Sequence, residues 1–77
     1  RIGENLPEML KADLAMEKDA IPDLRARIEH CEEVRHFVSR ENFERILESE
    51  EEHVDFLETQ LALIEKIGEK NYLQSQQ

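Results

Sequence analysis

The stretch FERILESEEEHVDFLETQLALI, residues 43–64, decides the fold of this chain. Its apolar residues recur at intervals of three and four, which is typical of a helix that packs one face against other helices. The apolar members of this stripe are Phe43, Ile46, Leu47, Val54, Leu57, Leu61 and Ile64. Glu50 and His53 interrupt it, and a buried carboxylate is usually neutralised, paired or bound to a metal. Because the two residues are three apart and adjacent on one helix face, they are candidate metal ligands.

An earlier stripe carries the same kind of interruption. Its apolar members are Leu6, Leu10, Leu14, Ile21, Leu24, Ile28 and Cys31. Glu17 fills the gap in this series, three residues after Leu14 and four before Ile21. Pro22 predicts a kink in one long helix, because the apolar pattern continues in phase beyond it. The alternative is two helices that separate between Asp19 and Pro22.

The predicted fold is all-α: an antiparallel helical hairpin followed by a short C-terminal helix. Three helices are expected, over residues about 6–35, 38–67 and 69–76. Asn5 is a candidate N-cap of the first helix, and Ser39 is a candidate N-cap of the second, with Glu41 in its first turn. Gly68 is expected to terminate the second helix.

Composition limits the classes of function. The 77 residues are 39% hydrophobic and 38% charged, which suits long helices with solvated outer faces. A net charge of −9 argues against nucleic acid as a partner. No apolar run approaches the roughly 18 residues of a membrane span, so no membrane partner is expected. Cys31, the single cysteine, cannot form an internal disulfide and is compatible with a reducing compartment such as the cytoplasm.

Carboxylates and an imidazole together suit iron, manganese or zinc. Two helices cannot cover each other's apolar faces, so the hairpin needs another pair of helices. That pair could come from a different segment, or from a second copy that completes a di-metal site by symmetry. A third interpretation is a metal-free structural hairpin, with Glu50 and His53 as an intrahelical pair and Glu17 in solvent.

Four segments together resemble one known family. They are DLAME at 13–17, FVSR at 37–40, ILESEEEHVDFLET at 46–59 and NYLQ at 71–74. The chain resembles the C-terminal half of bacterioferritin, and the match extends over its whole length without gaps. The resemblance implies that the hairpin is the third and fourth helices of a ferritin-like four-helix bundle, followed by the short terminal helix. Two departures are Glu52, where a Gly is common, and Phe56, where a Trp is common.

The resemblance also implies roles for individual residues. Glu17 is similar to the bridging carboxylate of the ferroxidase centre, and Glu50 to a second bridging or terminal carboxylate. His53 is similar to the imidazole ligand of one iron. Asn71 and Gln74 resemble polar residues of the channel on the four-fold axis of the shell.

The function implied by the resemblance is iron storage and detoxification. The chain would supply half of a di-iron ferroxidase centre, which oxidises Fe(II) to Fe(III) for mineral deposition inside a hollow shell of 24 subunits. The first two helices, with their Glu, their Glu-x-x-His and the Met that binds haem b between two subunits, are absent. The fragment is therefore expected to act as a ferroxidase only when paired with that N-terminal half.

Overall fold

A computed structural model describes residues 6–76 of the chain, and these form two long helices and a short one. The helices are α1 (Leu6–Glu33), α2 (Phe37–Ile67) and α3 (Glu69–Ser75). The all-α hairpin with a short third helix is thus confirmed, and its long dimension is 51 Å against 20 and 18 Å across. The candidate cap Asn5 lies outside the described residues. No helix within residues 6–76 has the apolar length that a membrane crossing requires.

Helix α1 runs through Pro22 without ending, so the alternative of two separate helices is wrong. Ile21, directly before the proline, and Cys31, near the end of the helix, are both buried. The apolar stripe therefore remains directed at α2 on both sides of Pro22. Continuous packing of this stripe outweighs the loss of one backbone hydrogen bond.

The connection between α1 and α2 is closed by backbone hydrogen bonds. Arg35 adopts a left-handed conformation with φ 64°. Its N–H donates to the carbonyl of Glu32 at 3.2 Å, and the N–H of His36 donates to the carbonyl of Cys31 at 2.8 Å. This pair of bonds is a Schellman motif, which satisfies the last carbonyls of a helix while it reverses the chain. As a result α1 ends at Glu33, two residues before the predicted boundary.

The prediction that Ser39 caps α2 is wrong. The N-cap position is His36, whose side chain makes no capping hydrogen bond, and no acidic residue lies in the first turn. The N–H of Arg40 donates to the carbonyl of His36 at 3.0 Å, so helical bonding begins before Ser39. The start of α2 is thus set by the turn before it and not by Ser39, and Glu41 falls beyond the first turn.

Replacement of Arg35 by Gly is expected to stabilise the protein by about 0.5–1 kcal/mol. A left-handed conformation costs a residue with a Cβ about 1–2 kcal/mol, and Gly avoids this cost. Part of the gain is lost because Gly also raises the conformational entropy of the unfolded chain. The midpoint of urea denaturation measures the effect. Arg45→Gly, inside α2, is the matched control and should lose about 1 kcal/mol. Equal destabilisation by both substitutions would contradict the role assigned to the Arg35 conformation.

Among the described residues three ion pairs join the long helices: one near the turn, between Arg40 and Glu32 at 3.7 Å, and two further along one face of the hairpin. Lys18 Nζ lies 3.0 Å from Glu58 Oε2, and Arg25 Nη2 lies 3.2 Å from Glu51 Oε2. The second pair lies seven residues later than the first on α1 and seven residues earlier on α2, as expected for antiparallel helices. Exposed pairs of this kind contribute only about 0.2–1 kcal/mol each, so they mark the register more than they stabilise it.

The opposite face of the hairpin is apolar and exposed. Helical spacing places Met9, Met16, Ile46 and Phe56 on it, and we call this set the apolar face. Met16 is 69% exposed and Phe56 is 54% exposed. Monomeric proteins rarely leave such side chains together in water, so this face is the one expected to receive further helices.

Helix α3 is attached through one glycine and one buried side chain. Gly68 ends α2, as predicted, with φ 86° and ψ 152°, a conformation that is essentially restricted to glycine. Tyr72 is buried against the hairpin, and its hydroxyl donates to Oε1 of Gln60 at 2.6 Å. These two features fix the position of α3 at the end of α2.

Candidate metal centre

Glu17 lies in the stripe of α1 that faces α2. From Leu10 onward, the half-buried and buried residues of α1 follow seven-residue spacing at Leu10, Leu14, Glu17, Ile21, Leu24, Ile28 and Cys31. Glu17 is the one charged member of that series and is half-buried. The sequence therefore places a carboxylate where helix packing ordinarily takes an aliphatic side chain, which is an unfavourable environment for an unpaired charge.

Glu50 holds the corresponding position on α2. The α1-facing stripe of α2 consists of Arg40, Phe43, Leu47, Glu50, Val54, Leu57, Leu61 and Ile64. Glu50 is half-buried and lines a groove together with Ala20, Leu24 and Ile46. Asp23 and Arg27 from α1 border the same groove. The Glu50 carboxylate thus opens toward the apolar face rather than toward the ion pairs.

His53 is exposed, unlike the two carboxylates. It lies beside the α1-facing stripe, on the side that carries the apolar face. Its imidazole stacks on the ring of Phe56, with the ring centroids 6.4 Å apart and the planes at 9°. Within the hairpin, Val54 faces α1 and His53 lies at the flank of the stripe, so the role of His53 as a metal ligand stays a prediction.

The hairpin does not gather the three candidate ligands into one cluster. Among residues 6–76, no three His, Cys, Asp or Glu side chains lie close enough together to hold a metal ion. The register explains this, since Glu17 lies near the level of Glu58 and Glu50 near the level of Arg25. The two carboxylates therefore lie at different levels along the hairpin. Their oxygens and the His53 nitrogens form a donor set that suits iron, but one that needs ligands from further helices.

The predicted channel residues lie on the surface of α3. Asn71 and Gln74 are both exposed. The Asn71 amide donates to the carbonyl of Ile67 at 2.8 Å, across the bend at Gly68. This bond ties α3 to the last turn of α2 through the amide nitrogen of Asn71.

Two contacts near the candidate centre escaped the sequence analysis. The stack of Phe56 on His53 could have been predicted from the sequence, because aromatic residues three apart on a helix are neighbours. The hydrogen bond between Tyr72 and Gln60 could not, since it depends on the direction in which α3 leaves Gly68. In the sequence Phe56 is distinguished only as a departure from a family pattern, whereas in the structure it lies against the imidazole of a candidate ligand.

Comparisons with known proteins agree with the helical pattern. The Ferritin-like domain family matches residues 1–67. The chain is 47% identical over 72 residues, 94% of its length, to the Bacterioferritin of Brucella melitensis, of which it covers 45%. It is 47% identical over 77 residues, 99% of its length, to the Bacterial ferritin of Synechocystis sp., of which it covers 49%. It is 48% identical over 73 residues, 95% of its length, to the Bacterioferritin of Streptomyces coelicolor, of which it covers 44%. The chain spans about half the length of these relatives.

Proposed function

The chain belongs to the ferritin-like domain family, and from this premise we propose that it is the C-terminal half of one such domain and serves iron storage and detoxification. Residues 1–77 would supply the third and fourth helices of a four-helix bundle and a short terminal helix. The relatives named for bacterioferritin match along nearly the whole chain, which supports this assignment. The function of the complete protein then depends on where its carboxylates lie.

The observation that carries the proposal is the pair of carboxylates that stand between aliphatic residues in the packing stripes of α1 and α2. Glu17 on α1 and Glu50 on α2 are half-buried at positions whose neighbours along each stripe are aliphatic. Two such positions, one on each helix, are costly to fold unless a cation compensates them. A bound divalent metal gives that compensation.

In the complete bundle Fe(II) is the substrate, and each ligand has a distinct part. Glu17 and Glu50 contribute anionic oxygens, which favour Fe(III) over Fe(II) once an electron leaves, and His53 contributes a neutral imidazole nitrogen. Each Fe(II) gives up one electron to oxygen or peroxide, and the resulting Fe(III) moves on to a mineral. The protein's own work is to hold these side chains ready through helix packing.

The exposed apolar face supports a further pair of helices as the partner of this hairpin. An N-terminal half with two further helices would cover Met16, Ile46 and Phe56 and bring its own Glu and Glu-x-x-His toward Glu50 and His53. Two-metal sites have separations of about 3.5–4 Å, which requires ligands from both halves. Haem b would be held by a Met of that half at the subunit two-fold, and this chain offers it no ligand in the proposal.

The terminal helix has a place in the same scheme. Twenty-four subunits would form the hollow shell, with Asn71 and Gln74 of α3 at the channel on the four-fold axis. Both side chains are exposed, as a channel-lining position needs. The free Cys31 thiol is buried, which fits a reducing compartment such as the cytoplasm.

The test measures native mass and iron binding on the purified protein. We expect a large shell in which every bundle contains this hairpin and the two completing helices, and which binds two Fe(II) per bundle under anaerobic conditions. A free dimer of hairpins that binds two metals would replace the proposal with self-association through the apolar face. A particle that binds no iron, manganese or zinc would leave the metal-free hairpin as the function and contradict the proposal.

A further inference from the structure

The imidazole of His53 has an aromatic neighbour that the proposed function does not use. Phe56 lies three residues further along α2, with its ring 6.4 Å from the imidazole centroid and nearly parallel to it at 9°. This is an offset stack, one of the preferred arrangements of two aromatic rings at centroid separations of about 4.5–7 Å. The contact is made within α2 itself and does not depend on any further helix.

We infer that Phe56 is a positioning residue for His53, an inference that rests on the proposed role of His53 as an iron ligand. A metal must meet a ring nitrogen in the plane of the imidazole, so the ring's rotation decides whether the nitrogen is correctly aimed. That rotation about χ2 is broad for His. A parallel ring stacked against one side of the imidazole restricts it to a narrow range.

The surroundings of His53 leave this task to Phe56. Within residues 6–76, no side-chain hydrogen bond holds the imidazole. The Phe56 ring has no donor or acceptor of its own, so it orients the imidazole and leaves both ring nitrogens free. Because Phe56 is 54% exposed on the apolar face, added helices would hold the stack more tightly.

Removal of the stacked ring should therefore weaken iron binding without removing a ligand. Phe56→Leu is expected to raise the Kd for Fe(II) under anaerobic conditions about 3- to 10-fold in the complete protein, the size expected for one aromatic pair. The Fe(II) concentration at half-maximal oxidation rate should rise by the same factor. The rate at saturating Fe(II) should stay within about twofold, because the bound geometry is restored once iron is present.

Two further variants separate positioning from simple packing. Phe56→Trp keeps a stacking ring and should restore the parent Kd. Phe37→Leu removes another partly exposed Phe of α2, one that lies over Arg40 with the guanidinium carbon 5.1 Å from the ring centroid. It is the matched control and should leave the Kd unchanged. Crystal structures of the metal-free proteins should show one His53 rotamer in the parent and in Phe56→Trp, and several in Phe56→Leu.

The inference is overturned if Phe56→Leu keeps both the parent Kd and a single His53 rotamer, or if Phe37→Leu weakens Fe(II) binding equally. The failure of the proposed function has a different signature. In that case His53→Ala would bind and oxidise Fe(II) as the parent does, whatever Phe56→Leu shows.

Discussion

Glu17→Gln and His53→Ala are each expected to lower the initial rate of Fe(II) oxidation by the complete protein at least about 100-fold. Residues that only support a metal ligand typically cost 10- to 100-fold when they are changed, so loss of a ligand itself should cost no less. Glu17→Gln keeps the shape of the side chain and removes its charge. Stopped-flow absorbance at limiting Fe(II) measures the rate, and native mass should remain that of the parent assembly.

Matched controls for this result lie nearby in the sequence. Glu52→Gln removes an exposed carboxylate two residues from Glu50, and His30→Ala removes an exposed imidazole of α1. Both should oxidise Fe(II) at the parent rate. If Glu17→Gln and His53→Ala behaved as these controls do, the assignment of the iron ligands would be refuted. An equally lower rate in all four variants would also contradict the assignment, because residues outside the site would then matter as much as the candidate ligands.

Leu57→Ala is expected to lower the free energy of unfolding by about 2–5 kcal/mol, the range for deletion of a buried leucine side chain. Leu57 is 2% exposed and is the largest fully buried side chain among the described residues. It lies between Val54 and Leu61 on the α1-facing stripe, at the level of Glu17. Where in this range the loss falls depends on how far the neighbouring side chains can close the cavity.

Urea denaturation of the assembled protein measures this effect through the midpoint and the slope of the transition. Val38→Ala is the control, since Val38 also lies on α2 and is 77% exposed. It should change the free energy of unfolding by less than about 0.5 kcal/mol. Similar midpoints for Leu57→Ala and Val38→Ala would show that the α1–α2 stripe does not stabilise the protein.

The helices were predictable because their signals are local and repeated. Regular apolar spacing predicted two long helices, and the short connection between them predicted an antiparallel hairpin. The continuity of the pattern past Pro22 predicted one first helix where the proline alone suggested two. Gly68 was predictable as a terminator because few other residues tolerate its conformation. The start of α2 was not predictable, since it follows from the left-handed conformation of Arg35, a residue type that rarely adopts it.

Part of the candidate site could likewise be predicted from the sequence, and part of it could not. Glu17 and Glu50 were predicted on facing stripes, and the structure places them there, half-buried. His53 was predicted on the same helix face as Glu50, because residues three apart are neighbours on a helix surface. Which of these neighbouring positions faces α1 depends on how the two helices cross, and sequence spacing does not contain that information.

The sequence by itself determined the number of helices, the residues on their packing faces and the two carboxylates that interrupt those faces, because each depends on periodicity along one chain. Only the tertiary structure decided the register, shown by Lys18 with Glu58, and the flanking position of His53 against Phe56. It also decided how α3 returns to α2 through Tyr72. These features depend on the direction of each turn and on the contact between two helices, which are properties of paired surfaces and not of either helix alone.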